Sequence, residues 1–352
     1  MTVMTATSQT VVAGVDTHQQ THHAVVLDLD GRTLGNREFP AREAGYRGLL
    51  EWVAGFGVID RIGVESTGSY GAGLTRLLLS AGIDVVEVNR PDKTTRAMQG
   101  KSDPIDAEAA AWAVLTGRAT ARPKLTTGVV EAIRALKVSR DSAVKHRTAA
   151  ISQLRDLATT APGQLHDQLI QLTASRRVTK AAGFRPDLTR LTDPVEATKL
   201  ALRNLARRVQ DLTAEIDATD NALEKLVNAT VPTLVAKRQI GTQTAAQLVI
   251  TAGENLHRFR SEATFAKLTG VCPIPASSGK TKRMRLNRGG DRQANTALHM
   301  IAVGRLKDHQ PTIDYRHRRK AQGLSDKDII RCLKRFIARE VYTALKTDLL
   351  GT

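Results

Sequence analysis

Aromatic side chains make up only 3% of this 352-residue chain, which argues against single-strand nucleic-acid binding built on rows of stacking rings. Cysteine is scarcer still: Cys272 and Cys332 are the only two, with no Cys-x-x-Cys pair. Neither a disulfide framework nor a zinc knuckle is supported, and both are read as buried small hydrophobes. No apolar run approaches the roughly 20 residues needed to cross a bilayer. The opening MTVMTATSQT lacks the basic stretch and apolar core of a secretory signal. A cytoplasmic location without a membrane partner is therefore expected. Acidic residues are in deficit, 35 against 52 lysines and arginines, which leaves a net charge of +17. That excess suits a polyanion, and phosphodiester chemistry is the first class to test. The 41% hydrophobic content and the length are ordinary for two or three soluble domains with real cores.

The first 120 residues alternate strand and helix signals. TVVAGVD is a short apolar run ending on Asp16, and HHAVVLDLDG leads to a hairpin signal at Asp30-Gly31 before RTLGNREF. AREAGYRGLLEWVAGF reads as an amphipathic helix and RIGVES as a buried strand. GAGLTRLLLSAG is a helix, DVVEVN a strand, and DAEAAAWAVL a further helix. The order βββαβαβα is that of the ribonuclease H-like fold, a mixed sheet with helices on its faces.

This order draws four carboxylates together. Asp16 ends the first strand and Glu65 the fourth, and in such a fold these strands lie side by side and parallel. Pro104 suits the first helical position, making Asp103 the expected N-cap, with Asp106 on the same side of the first turn. Carboxylates from three segments aimed at one spot repel one another unless cations hold them, and Mg2+ prefers carboxylate oxygen. Two ions roughly 3.5–4 Å apart would stabilise both oxygens of an in-line displacement at phosphorus. Taken singly, each acid has a plainer reading: a capping box for Asp103 and Asp106, a turn residue for Asp16, a surface charge for Glu65. His18, His22 and His23 follow Asp16 closely. His22 and His23 are neighbours on a strand and point to opposite faces, so all three are read as non-ligands.

From 127 to about 160 the chain is helical, with Val129, Ile133, Leu136, Ile151 and Leu154 on one face, interrupted by Arg140 and Arg147. Residues 163–190 are less periodic, and Asp193-Pro194-Val195-Glu196 is a well-formed helix start. The following helix carries a heptad seam of Leu202, Leu205, Val209, Leu212, Ile216, Thr219, Leu223 and Leu226. It predicts either a fold-back on the preceding helix or a coiled coil between subunits. VAKRQIGTQTAAQLVITAG resembles a helix-hairpin-helix, except that Gln239 stands where the first of two glycines is usual. Beyond it lie Lys280, Lys282, Arg283, Arg285, Arg288 and Arg292 against a single acid, Asp291, with Gly279 and Gly289-Gly290 supplying turns. Nucleic-acid contact is read there. Ser277 and Ser278 beside these cations are candidate nucleophiles, although a loop serine is more often structural. YRHRRKAQGLSDKDIIRCLKRFIARE ends in an amphipathic helix with Ile329, Ile330, Leu333, Phe336 and Ile337 inward.

GVDTH, VESTGSYG and KSDPIDA, with GVCPIPASSGKTKR and LNRGGDRQANTALHMIA, resemble over nearly the whole length the DEDD-type insertion-sequence transposases of family one-ten. These are bridge-RNA-guided serine recombinases related to pilin-gene invertases. The resemblance implies a RuvC-like domain over 10–125 after a disordered tail at 1–9, a helical coiled-coil region over 126–230, and a mostly helical transposase domain over 231–352. It places the metal-binding tetrad on Asp16, Glu65, Asp103 and Asp106, with one or two Mg2+ ions, and the catalytic serine on Ser278, Ser277 being one residue off register. It further implies a covalent phosphoserine link, donor and target DNA, a noncoding bridge RNA, and dimers or tetramers joined by a coiled coil and acting at the nucleoid. A metal-dependent junction-resolving nuclease without a serine nucleophile, and a non-enzymatic nucleic-acid scaffold, are the alternatives.

Overall fold

A computed structural model describes residues 9–89, 102–279 and 284–351. The tail expected to be disordered, apart from Gln9, and the cations Lys280, Lys282 and Arg283 lie outside the described residues. The chain forms two compact units, Met1–Val130 with Ala252–Phe265, and Glu131–Thr251 with Ala266–Thr352.

The first unit is built on β1 (Thr10–Thr17), β2 (Thr21–Asp28), β3 (Thr33–Pro40), β4 (Val58–Glu65) and β5 (Val85–Val88). Helix α1 (Glu43–Ala54) joins β3 to β4, α2 (Ala72–Ser80) joins β4 to β5, and α3 (Asp103–Leu115) follows. Among the described residues, this is the element order read from the sequence. The five strands form one mixed sheet in the order β3-β2-β1-β4-β5. β2 is antiparallel to β1 and β3, while β1–β4 and β4–β5 are parallel.

Side-chain alternation gives the sheet two apolar faces. Val11, Ala13 and Val15 pack with Leu49, Val53, Leu74 and Leu78 of α1 and α2. Val12, Val25 and Leu27 pack instead with Ala107 and Ala111 of α3. The period of two therefore assigns Val12, Gly14 and Asp16 to the α3 face, along with Gly63 and Glu65 of β4. Gly14 and Gly63 are register partners across β1 and β4. A Cβ on Gly14 would lie 2.1 Å from the Ala111 nitrogen and 2.2 Å from the Ala107 carbonyl oxygen. On Gly63 it would meet Val114 at 2.6 Å. Helix α3 therefore rests almost on the strand backbone, an approach that only glycine beneath and alanines above permit.

The remaining elements are mostly helical: α4 (Gly128–Thr159), α5 (Gln164–Ile170), α6 (Ala174–Ala182), α7 (Pro194–Thr230), α8 (Pro232–Val235), α9 (Thr242–Ala252) and α10 (Glu262–Leu268). A two-residue ladder of β6 (Ile274–Pro275) and β7 (Met284–Arg285) precedes α11 (Arg292–Asp308), α12 (Gln310–Ala321) and α13 (Asp326–Leu350). The start of α7 is as read: Asp193 caps it by accepting from the Val195 N–H, with Pro194 in the first turn.

The seam on α7 folds back on α4 within the chain. Leu202, Ala206 and Val209 share a core with Ala150, Leu154 and Ala158, and Arg140, an interruption in the sequence pattern, pairs with Asp220 at 2.9 Å. Leu202, Val209, Ile216 and Leu223 are buried, whereas Leu205, Leu212, Thr219 and Leu226 on the other flank are half-buried.

Several expectations need correction. The region 163–190, read as less periodic, holds α5 and α6. Leu165 and Leu169 of α5 and Val178 and Ala181 of α6 join the core shared by α4 and α7, and Arg177 donates to the last carbonyls of α5, those of Leu169 and Ile170, and to that of Leu172 beyond it. Phe336 is 51% exposed, because it sits on the flank of α13 against Tyr315, while Ile329, Leu333 and Ile337 face the core. Cys272 and Cys332 are free, as expected, but only half-buried. Gln239 adopts φ +63°, the left-handed conformation that the missing glycine would take. Its amide donates to the Asp308 carboxylate at 3.2 Å.

Candidate active site

The parallel pairing of β1 and β4 brings Val15 opposite Val64, so Asp16 and Glu65 emerge side by side at the strand ends. The Thr17 hydroxyl donates to the Glu65 carbonyl at 2.9 Å and ties the two ends together. Ser66, immediately after Glu65, is held at φ +54°, a conformation costly for a non-glycine residue. Its carbonyl accepts from the Ser69 and Gly71 N–H groups, turning the chain sharply away from the carboxylate.

Helix α3 supplies the other two acids. Ser102, not Asp103, is the N-cap, at φ −152° and ψ 152°. Asp103 and Asp106 therefore lie within the first turn, where the amide ends of the helix favour negative charge. This shift of one residue leaves the two acids on the same side of the helix. Asp106 is buried, and the Asp103 side chain is 46% exposed.

The four carboxylates meet around Asp16. Burial is the largest influence on its carboxyl and pushes its pKa above the ordinary aspartate value. His18 opposes that shift, the charges of Asp106 and Asp103 add to it, and a side-chain hydrogen bond with Glu65 opposes it. A carboxyl–carboxyl hydrogen bond needs a proton or a cation between the two groups. Asp16 Oδ2 is buried and has no hydrogen-bond partner.

His18 Nε2 lies 3.5 Å from that oxygen and 3.4 Å from Asp103 Oδ1. Ligand atoms of Asp16, His18 and Asp103 all lie within 4.8 Å of one another. Oxygen donors with one imidazole suit a divalent cation, and the partnerless Oδ2 is the atom such an ion would satisfy. The residues thus fit a metal, and His18, read as a non-ligand, stands among them. The signal was available in the sequence, since residues 16 and 18 share one face of a strand end. His22 is fully buried, stacked on Tyr46, and depressed in pKa chiefly by burial.

A cleft of about 830 Å³ opens beside the acids. Glu65 and Asp106 line it together with Glu87, Glu108, Trp112 and Arg118. The Trp112 side chain there is 36% exposed.

The second set of predicted residues belongs to the other unit. Ser277 and Ser278 are both exposed, just beyond β6. Arg285 lies in β7, and Arg288 and Arg292 are exposed on the way into α11. Asp291, the one acid of this stretch, caps α11 through the Gln293 and Ala294 N–H groups and accepts the Thr251 hydroxyl at 2.7 Å. Its charge is engaged in structure.

The amino-terminal part, residues 13–161, matches the DEDD transposase domain of IS110 elements. Residues 238–318 match the transposase domain of the IS116/IS110/IS902 family. The chain is 25% identical to the 43.6 kDa protein of insertion element IS110 from Streptomyces coelicolor, over 89% of this chain and 88% of that protein. It is 24% identical to the 44.8 kDa protein of insertion element IS116 from Streptomyces clavuligerus, over 88% of each. No helix among the described residues is long and apolar enough to cross a membrane. Together, a sheet whose strand ends bring Asp16 and Glu65 beside the first turn of α3 and two domain matches covering most of the chain place it in one family: it belongs to the IS110-family transposases.

Proposed function

We propose that this protein cuts donor and target DNA and rejoins the strands, using Ser278 as nucleophile and Mg2+ held by Asp16, Glu65, Asp103 and Asp106. The observation that carries the reading is the crowding of these acids on Asp16, whose buried Oδ2 has no hydrogen-bond partner. A protein of net charge +17 concentrates negative charge there at a cost in stability, and cation binding offsets that cost. The order of the sheet and the parallel β1–β4 pair support a RuvC-like fold for residues 10–125.

In this scheme the Ser278 hydroxyl gives up its proton and its Oγ bonds to the scissile phosphorus as the bond to the leaving sugar oxygen breaks. That oxygen takes up a proton. The hydroxyl of an incoming strand then attacks the phosphoserine, frees the serine and reseals the backbone. Bound Mg2+ would polarise the phosphoryl oxygens and stabilise charge on the attacking and leaving oxygens. His18 would join the ligand set. Arg285, Arg288 and Arg292, with Lys280, Lys282 and Arg283, would grip phosphates near the serine.

The half-buried flank of α7 supports pairing of the helical region, residues 126–230, with a second copy in a dimer or tetramer. The serine of residues 231–352 would then act with the acids of this or another subunit. The scarcity of aromatic and base-reading motifs supports delegation of sequence choice to a noncoding bridge RNA.

The test is recovery of a covalent protein–DNA adduct from full-length protein, Mg2+, element-end DNA and RNA transcribed from the flanking noncoding segment. Asp16→Asn and Ser278→Ala each abolish it, with Ser277→Ala as the control for register. Cleavage that survives Ser278→Ala and Ser277→Ala establishes the metal-dependent nuclease instead. Transposition undiminished by Asp16→Asn with Glu65→Gln establishes the scaffold reading.

A further inference from the structure

A second cleft, of about 580 Å³, lies in the helical unit between the 286–290 loop and helices α11 and α13. Its wall is basic: Arg288, Arg292, Lys327, Arg331 and Lys334 line it with His299, and among the described residues no carboxylate does. The two helices bring matching faces to it. Arg292, Thr296 and His299 on α11, and Lys327, Arg331 and Lys334 on α13, follow the same i, i+4, i+7 spacing. Each row therefore runs roughly 10 Å along its helix.

Two of the nearby acids are committed elsewhere. Asp291 caps α11, and Asp326 pairs with Arg316 and Lys320. Asp328 reaches Arg331 at 2.7 Å, but at one guanidinium nitrogen only. Lys334 is half-buried and held in place. Its ammonium donates to Asn295 Oδ1 at 2.8 Å, and the Asn295 amide is itself fixed by donation to the Thr269 carbonyl. Burial first, and then the neighbouring charge of Arg331, depress the Lys334 pKa. The fold therefore maintains a concave array of like charges at a cost that a polyanion in the cleft would relieve. Both amides in the wall are engaged within the fold: Asn295 with Lys334 and the Thr269 carbonyl, and Asn287 with the Lys267 carbonyl and the Gly289 N–H.

We propose that this cleft is a phosphodiester clamp, in which Arg292, His299, Lys327, Arg331 and Lys334 hold two or three successive phosphates of one nucleic-acid strand without reading its bases. The clamp extends the basic surface beyond the serine loop, onto α13. It rests on the reading of the chain as a nucleic-acid-acting protein, and it is independent of the serine and of the metal.

The test is fluorescence anisotropy of full-length protein in chelator, over a salt series, against a DNA duplex and against an RNA hairpin. Lys327→Gln with Arg331→Gln and Lys334→Gln is expected to lower the slope of log affinity against log salt by about 2–3, and to weaken binding on the order of 10- to 100-fold. Removing three charges elsewhere, Arg207→Gln with Arg208→Gln and Lys225→Gln on α7, is expected to move the slope by less than one. Lys327 is exposed, so Lys327→Gln alone keeps the fold and is expected to lower the slope by about 0.7–0.9. A loss seen with DNA only, or with RNA only, supports the clamp and names its strand. Equal effects of the cleft and α7 triples, or an unchanged slope for Lys327→Gln, overturn it. Wild-type protein that binds neither probe overturns the nucleic-acid reading beneath it.

Discussion

The acidic centre and the serine loop are built by opposite means. Asp16, Glu65 and Asp106 are buried at the ends of parallel strands and in the first turn of a helix laid directly on those strands. Ser277 and Ser278 are exposed, next to a ladder of two residue pairs. Rigid placement suits the proposed role of groups that repel one another and would share an ion, whereas an exposed hydroxyl in the proposed nucleophile's role would be brought to its phosphate by the substrate itself. The difference predicts that substitutions in the first region trade function against stability, and that substitutions in the second affect function alone.

The largest effect is expected for Gly14→Ala. A Cβ there collides with the backbone of α3, so at least about 3 kcal/mol should be lost, with divalent-ion binding. A melting temperature within a few degrees of wild type would mean that α3 docks less closely than described. Asp16→Asn comes next and has two signs. It should abolish stabilisation by Mg2+ in thermal melts, yet in chelator it should raise stability by about 1 kcal/mol, or roughly 2–4 °C, because a buried repulsion is removed. Because the Asp16 pKa is raised in the fold, the metal-free wild type binds more protons there than the unfolded chain does. Its stability therefore falls as pH rises from about 3.8 through the raised value. The gain from Asp16→Asn should be largest above that window.

Ser278→Ala should shift stability by less than about 0.5 kcal/mol while removing the covalent adduct; a large loss of stability would erase the contrast between the two regions. His18→Ala sharpens it further. Imidazole favours manganese over magnesium, so Mn2+ affinity measured by calorimetry should fall roughly 10-fold and Mg2+ affinity less than about 3-fold. The smallest effect is reserved for Gln239→Gly, where relief of the left-handed conformation and loss of the Asp308 hydrogen bonds should cancel to within about 0.5 kcal/mol in denaturant titrations.

The sheet unit was legible because its signals are local. Alternating apolar residues and a hairpin dipeptide each encode one element, and the parallel neighbours follow from the element order; in the helical unit the Asp193-Pro194 start is equally local. What escaped depends on partners distant in sequence. Phe336 has the spacing of a core residue, but Tyr315 draws it to a flank. Helices α5 and α6 owe their burial to a core they share with α4 and α7. Gly14 and Gly63 look like ordinary strand glycines until α3 is seen resting on them. His18 shared a face with Asp16 all along, and was set aside with two neighbours whose geometry is worse.

The glycine contact has a thermodynamic consequence. Helix α3 carries at one end the carboxylates that repel those of the sheet, and along its body the alanines that adhere to it, so docking and the proposed ion binding would form a single equilibrium. Once the site is in excess ion, each tenfold rise in concentration adds about 1.4 kcal/mol to the docked state. The divalent ion would then govern the assembly of the amino-terminal unit as well as its chemistry, and amide exchange along α3 would read ion concentration directly.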